Sequence, residues 1–118
     1  MPQKNREEVP LKSRRNESAR LRIKYPDRIP IICEISKGSE TTIQLDRHKY
    51  LVPYDLTIGQ LLIILKKRNQ LDASQSLYLF TEDTTLSPCS ELISSLYKIH
   101  KNEDGFLYLI VAVEMSFG

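Results

Sequence analysis

Phe106-Leu107-Tyr108-Leu109-Ile110-Val111-Ala112-Val113 is an unbroken run of eight apolar or aromatic residues. It shows no alternation and is rich in β-branched and ring side chains. Such a run predicts a strand covered on both faces and therefore placed in the middle of a sheet. Three shorter segments predict further strands. Ile29-Pro30-Ile31-Ile32-Cys33-Glu34-Ile35 is the first, with Pro30 expected at the strand's start or on an edge because it donates no ladder bond. Lys49-Tyr50-Leu51-Val52, stopped by Pro53, is the second and should return as a hairpin on the first. Leu77-Tyr78-Leu79-Phe80 is the third.

Helical signals fall between these runs. Leu11 to Lys24 contains no Gly or Pro and predicts a helix, ended at Tyr25-Pro26 because the residue before proline avoids helical dihedrals. Its apolar positions (Leu11, Ala19, Leu21, Ile23) are sparse, so it should lie on the body rather than inside it. Thr57-Ile58-Gly59-Gln60 reads as a capping box opening a second helix through Leu61-Leu62-Ile63-Ile64-Leu65, with Lys66-Lys67-Arg68 suiting its C-terminus. Ser90 is expected to cap a last helix whose Leu92, Leu96 and Ile99 share a face. Met1 to Asn5 should be loose, Arg6 to Glu8 could form one short turn, and Ser36 to Asp46 reads as a loop. The order helix, β, β, α, β, α, β places the chain in the α+β class. It fits a β-grasp sheet of four strands with the first and last adjacent and parallel. Three segments follow: an N-terminal helical extension over 1–26, a core over 27–113, and a flexible tail over 114–118.

Composition narrows the function classes. With 41% hydrophobic and 27% charged residues the chain resembles an average soluble globular protein. No run of about 18 apolar residues occurs and no apolar signal core opens the chain. The reading is a soluble intracellular protein with reduced thiols, since Cys33 and Cys89 are too few for a disulfide framework. The net charge of +2 hides an asymmetry, because residues 1–30 hold nine Lys/Arg against four acids. A basic N-terminal segment suits an acidic partner such as a nucleic acid, an anionic lipid or an acidic peptide; as a bland alternative it is a solvated helix face.

Candidate chemistry is sparse. His48 and His100 have no carboxylate or thiol at ligand spacing, so no metal is expected. Neither cysteine has a His or cationic setting that would make it a nucleophile. Four glycines leave little room for a phosphate loop. The chain therefore reads as non-enzymatic and without a cofactor. Two features remain. Lys49-Tyr50-Leu51-Val52 mixes a cation with apolar residues; as a sheet edge it could accept a peptide as an added strand. Gly118 closes a non-periodic segment and offers an unhindered carboxylate, as a protein would need if its own C-terminus were the reactive group; for a terminal glycine alone, a chain trimmed at an arbitrary residue is the favoured bland reading.

Several segments together resemble one family: Lys24-Tyr25-Pro26-Asp27-Arg28-Ile29-Pro30, Lys49-Tyr50-Leu51-Val52-Pro53, Asp55-Leu56-Thr57-Ile58-Gly59-Gln60, Glu103-Asp104-Gly105-Phe106-Leu107-Tyr108 and the closing Phe117-Gly118. Over roughly residues 12–118 the chain is similar to the autophagy ubiquitin-like modifiers of the yeast autophagy-eight, light-chain-three and GABARAP kind. The resemblance implies a ubiquitin-like β-grasp fold with two additional N-terminal helices. It implies activation of Gly118 by an E1-like enzyme, transfer by an E2-like enzyme, and coupling to phosphatidylethanolamine, with a cysteine protease processing or delipidating the protein.

The resemblance also implies docking of aromatic-x-x-aliphatic motifs from cargo receptors and adaptors. An aromatic pocket would use Glu17, Leu21, Pro30, Ile32, Lys49, Leu51 and Phe106. An aliphatic pocket would use Tyr50, Val52, Pro53, Leu56, Leu61 and Ile64. Arg28, Arg47 and Lys49 would meet acidic flanks. Leu61 stands where the family commonly has Phe, Leu62 where another aromatic is frequent, and Ser36–Gln44 lacks the family's basic character. Those departures leave the preferred motif open. The implied locations are the cytoplasm and, once lipidated, the autophagosome membrane. Alternative readings are a non-conjugated cytoskeletal or trafficking adaptor, for example on microtubules, and a modifier of protein lysines. Nucleic acid is not an expected partner, because the aromatics are not interleaved with the basic run.

Overall fold

The computed structural model describes residues 8–38, 44–71 and 74–115. In chain order the elements are α1 (Leu11–Lys24), β1 (Arg28–Ile35), β2 (Lys49–Pro53), α2 (Ile58–Arg68), β3 (Gln75–Thr81), α3 (Ile93–His100) and β4 (Leu107–Met115). Arg6 and Glu7 of the expected turn and residues 39–43 of the expected Ser36–Asp46 loop lie outside the described residues, as do residues 116–118 of the tail. One of the two expected N-terminal helices is therefore described, as α1.

The sheet order is β2-β1-β4-β3. β1 pairs antiparallel with β2 and parallel with β4, while β3 and β4 are antiparallel. The long apolar run thus occupies the sheet's interior. Leu107, Tyr108 and Leu109 are buried on both faces, but beyond them only Val111 is buried while Ile110, Ala112 and Val113 are half-exposed, so the expected two-sided cover holds only over the first half of the run. Pro30 sits inside β1, yet costs no ladder bond. Cys33 N–H donates to the His48 carbonyl (2.8 Å), so the odd-numbered residues of β1 face β2. Pro30 faces the other way, one residue before the β4 register opens at Ile31↔Leu107.

The main core lies on one face of the sheet. There Ile29, Ile31 and Cys33 of β1 meet Val52, Ile58, Leu61 and Leu65, together with Leu77, Leu79, Ile93 and Leu96. A smaller cluster of Ile32, Phe106 and Tyr108 lies on the opposite face, with Leu21 of α1 packed on it. The capping box at α2 is complete: Thr57 Oγ1 accepts from Gln60 N–H (3.2 Å), and Gln60 Oε1 accepts from Thr57 N–H (2.9 Å).

One helix reading is corrected. α3 has Leu92, not Ser90, at its N-cap, and no side chain caps it. Backbone carbonyls do that work instead, Leu56 for Ile93 N–H (2.9 Å) and Tyr54 for Ser94 N–H (3.2 Å). With the start shifted, the inward face is Ile93, Leu96 and half-buried Tyr97, leaving Leu92 and Ile99 exposed. On α1, Ala19 and Ile23 point to solvent; the face against the body carries Arg14, Ser18 and Leu21.

That α1 face is held by a polar hub. Asp104 is fully buried, and its Oδ2 accepts from Arg14 Nη1 (2.9 Å) and Tyr108 Oη (2.6 Å). Its Oδ1 accepts from Phe106 N–H (2.9 Å), and its carbonyl accepts from the Ser18 hydroxyl (2.5 Å). Gly105 follows with φ +88°, and a Cβ there would collide with the Ser18 side chain. Both its dihedral and its crowding therefore require glycine.

Candidate docking edge

β2 is a free sheet edge. Because residues 48 and 54 exchange backbone hydrogen bonds with β1, Tyr50 and Val52 do so too. Lys49 and Leu51 therefore turn their amides and carbonyls outward. The Leu51 carbonyl accepts from Arg28 Nη1 (3.3 Å), so an exposed cation reaches the edge itself. Arg47 is also exposed, just before the strand.

Alternation sends the strand's side chains to two different patches. Lys49 and Leu51 sit opposite Ile32 and Pro30, on the α1 face. There the buried rings of Phe106 and Tyr108 join Ile32 and Leu21. Lys49 Nζ lies 5.8 Å from the Phe106 ring centroid and is paired with Glu17 (2.9 Å to Oε1). Both side chains are partly exposed, so this ion pair is weak and can open without large cost. It forms a movable cover over an aromatic floor. All seven residues of the first expected pocket are gathered around this face, with Pro30 and Ile32 buried and Leu51 half-buried.

On the other face lie Tyr50 and Val52, backed by Leu56 and by Leu61 of α2. Leu61 is fully buried and could serve only as a floor, whereas Ile64 is 37% exposed and stands at the margin. Within the strand, Pro53 belongs by alternation to the Lys49 face rather than to the Tyr50 face, and it is exposed. A cluster that the sequence reading did not single out closes this second patch. Arg68 Nη2 pairs with Asp46 Oδ2 (2.6 Å), Tyr50 Oη donates to Asp46 Oδ1 (3.0 Å), and the Arg68 guanidinium lies over the Tyr50 ring at 5.8 Å. The hydrogen bond from Arg68 holds the Asp46 carboxyl below its ordinary range. Partial burial and the bond to Asp46 push the Tyr50 hydroxyl up.

Other chemistry is limited. Cys33 is buried, and desolvation pushes its thiol up to about 12, far from nucleophilic character. Cys89 is exposed. No group of three His, Cys, Asp or Glu residues among the described residues could hold a metal ion. No helix among them is long and apolar enough to cross a membrane. Gly118 lies outside the described residues.

A four-stranded mixed sheet with a parallel central pair and a crossover helix is the ubiquitin-like arrangement. The family model described as autophagy protein Atg8, ubiquitin like, matches residues 13–118. The chain belongs to the Atg8 family. Autophagy-related protein 8a of Arabidopsis thaliana is 46% identical over 109 residues, covering 92% of this chain and 88% of its own length. Autophagy-related protein 8 of Emericella nidulans is 44% identical over 119 residues, with 100% and 98% covered. The crystal structure of Trypanosoma brucei ATG8 superposes with a TM-score of 0.87 at 41% identity, and each chain is covered in full. The protein is thus a ubiquitin-like autophagy protein of the Atg8 family, and the β-grasp expectation holds.

Proposed function

We propose that this protein is a non-enzymatic modifier, coupled through Gly118 to phosphatidylethanolamine, that brings motif-bearing partners to autophagic membranes. E1-like and E2-like enzymes would carry the glycine, and a cysteine protease would process or release the product. A two-chain lipid at Gly118 anchors firmly where a single acyl chain holds a protein only marginally. The protein would then divide between the cytoplasm and the autophagosome membrane. The observation that carries the docking half is the free edge of β2, whose outward backbone groups run between two apolar patches on opposite sheet faces.

An extended aromatic-x-x-aliphatic peptide would pair with Lys49 and Leu51 as a fifth strand. Its ring would displace Lys49 from above Phe106, and its aliphatic side chain would reach the Tyr50–Val52 side near Ile64. Arg28, Arg47 and the released Lys49 would meet acidic flanking residues. Titration calorimetry with such a peptide tests this: Lys49→Ala with Leu51→Ala should weaken binding about tenfold or more, and unchanged affinity would remove the docking reading. Gly118→Ala should fold normally and stay off phosphatidylethanolamine liposomes when incubated with cognate E1-like and E2-like enzymes and ATP. Attachment equal to that of the unaltered chain refutes the conjugation half.

A further inference from the structure

A groove of about 720 Å³ opens where the C-terminal ends of α1 and α3 approach the start of β1, beside Tyr54 at the end of β2. Ile29, Tyr54 and Tyr97 give it an apolar lining, and Arg22, Lys98 and Lys101 supply three cations. Asp27 is the one carboxylate in that lining. The positive charge is arranged around a single ring. The Arg22 guanidinium lies 5.3 Å and Lys101 Nζ 5.4 Å from the Tyr97 centroid, while Tyr97 Oη donates to the Gly105 carbonyl (2.7 Å). Arg22 is further fixed by donating to the Arg28 carbonyl (2.6 Å). The Lys98 ammonium has no hydrogen bond or ion pair among the described residues, and neither does the Lys101 ammonium beyond its ring contact. Tyr54 is 52% exposed.

Cations in the last turns of α1 and α3 also offset the helix dipoles. That role needs no concavity and no exposed tyrosine beside it. Arginine and lysine around aromatic and aliphatic lining form the pattern that meets carboxylates next to an apolar anchor.

We propose that this groove docks an acidic segment of a partner protein, with an apolar or proline side chain against Pro26 and Tyr54, over buried Ile29, and carboxylates on Lys98 and Lys101. An anionic membrane is the competing occupant, and the topology disfavours it. β1 and β4 are parallel, so β4 leaves the groove end of the sheet and runs nine residues toward the tail, a rise of about 27 Å. With the chain anchored through Gly118 as proposed above, the groove faces away from the anchoring bilayer, where soluble partners arrive. Only this orientation argument rests on that reading; the groove and its charges do not.

The full chain is tested by fluorescence anisotropy with a labelled acidic peptide, Asp-Glu-Glu-Tyr-Pro-Glu-Glu-Gly, which lacks the aromatic-x-x-aliphatic pattern. The expected result is saturable, salt-sensitive binding that Lys98→Glu with Lys101→Glu weakens about tenfold or more. Lys49→Ala with Leu51→Ala should leave it unchanged. A motif peptide run in parallel reports the β2 edge. Its binding should survive the charge reversal, which shows that the variant is folded and separates failure here from failure of the edge. No saturation at about 1 mM peptide, or binding indifferent to the charge reversal, overturns the proposal. So does a charge reversal that reduces binding to phosphatidylserine vesicles but leaves peptide binding intact, which would assign the groove to a membrane.

Discussion

Asp46 shows how one side chain sets the boundary of a surface. Its carboxylate takes two hydrogen bonds from Arg68 and one from Tyr50, and so fixes the rim of the Tyr50–Val52 patch. Because its folded pKa is lowered, the pair contributes in full above the ordinary value of 3.8 and is lost as pH falls through the depressed folded value. An NMR titration should place the Asp46 midpoint below 3.8, and Arg68→Ala should move it back up. A midpoint unmoved by that change would dissolve the pair. This cluster was not legible in the sequence, because Asp46 and Arg68 lie 22 positions apart and meet only where the C-terminus of α2 packs on the end of the β1–β2 connection. The Thr57 and Gln60 box was legible because both partners fall within one turn. Local chemistry reads from sequence, and pairing across the fold does not.

Among the elements, α1 departs furthest from its sequence pattern. A search for apolar periodicity selects Ala19 and Ile23, which face solvent, since the contact is made by Arg14 and Ser18 on Asp104. The available signal was Leu11, Arg14, Ser18 and Leu21, one helical stripe of mixed polarity. Asp104→Ala should therefore cost about 3 kcal/mol, because it strands a mostly buried guanidinium and the Tyr108 hydroxyl. Urea unfolding reads the loss, and a change under about 1 kcal/mol would mean that α1 is held by other contacts. α3 teaches the same lesson from its other end. Its cap is made by carbonyls of the β2–α2 connection, which no local Ser could announce.

For the whole molecule, the strands were legible and their order followed from them. The apolar run from Phe106 pointed to the sheet's interior, and the mixed Lys49 strand was a candidate edge; the strand order bears out both. The two proposed pockets were not legible from pattern alone, since they would draw on α1, β1, β2, α2 and the residue before β4; their membership came from family resemblance. Protection should follow the sheet order. Amides of β1 and β4 between Ile31 and Val111 should exchange with solvent most slowly, and the outward amides of Lys49 and Leu51 among the fastest of any strand. Hydrogen-exchange mass spectrometry showing β2 as protected as β4 would mean that its edge is already occupied.

The parallel pairing of Ile31 with Leu107 has a consequence for birth as well as for shape. The last strand made is the one that fills the middle, so a ribosome-bound chain lacking β4 has a hole where its centre should be. Its hairpin and first helices can gather, but the long closure from β1 to β4 waits until Leu107–Met115 has been made. Completion of the sheet is thereby timed by translation itself, because a copy that stops short of β4 holds no finished body.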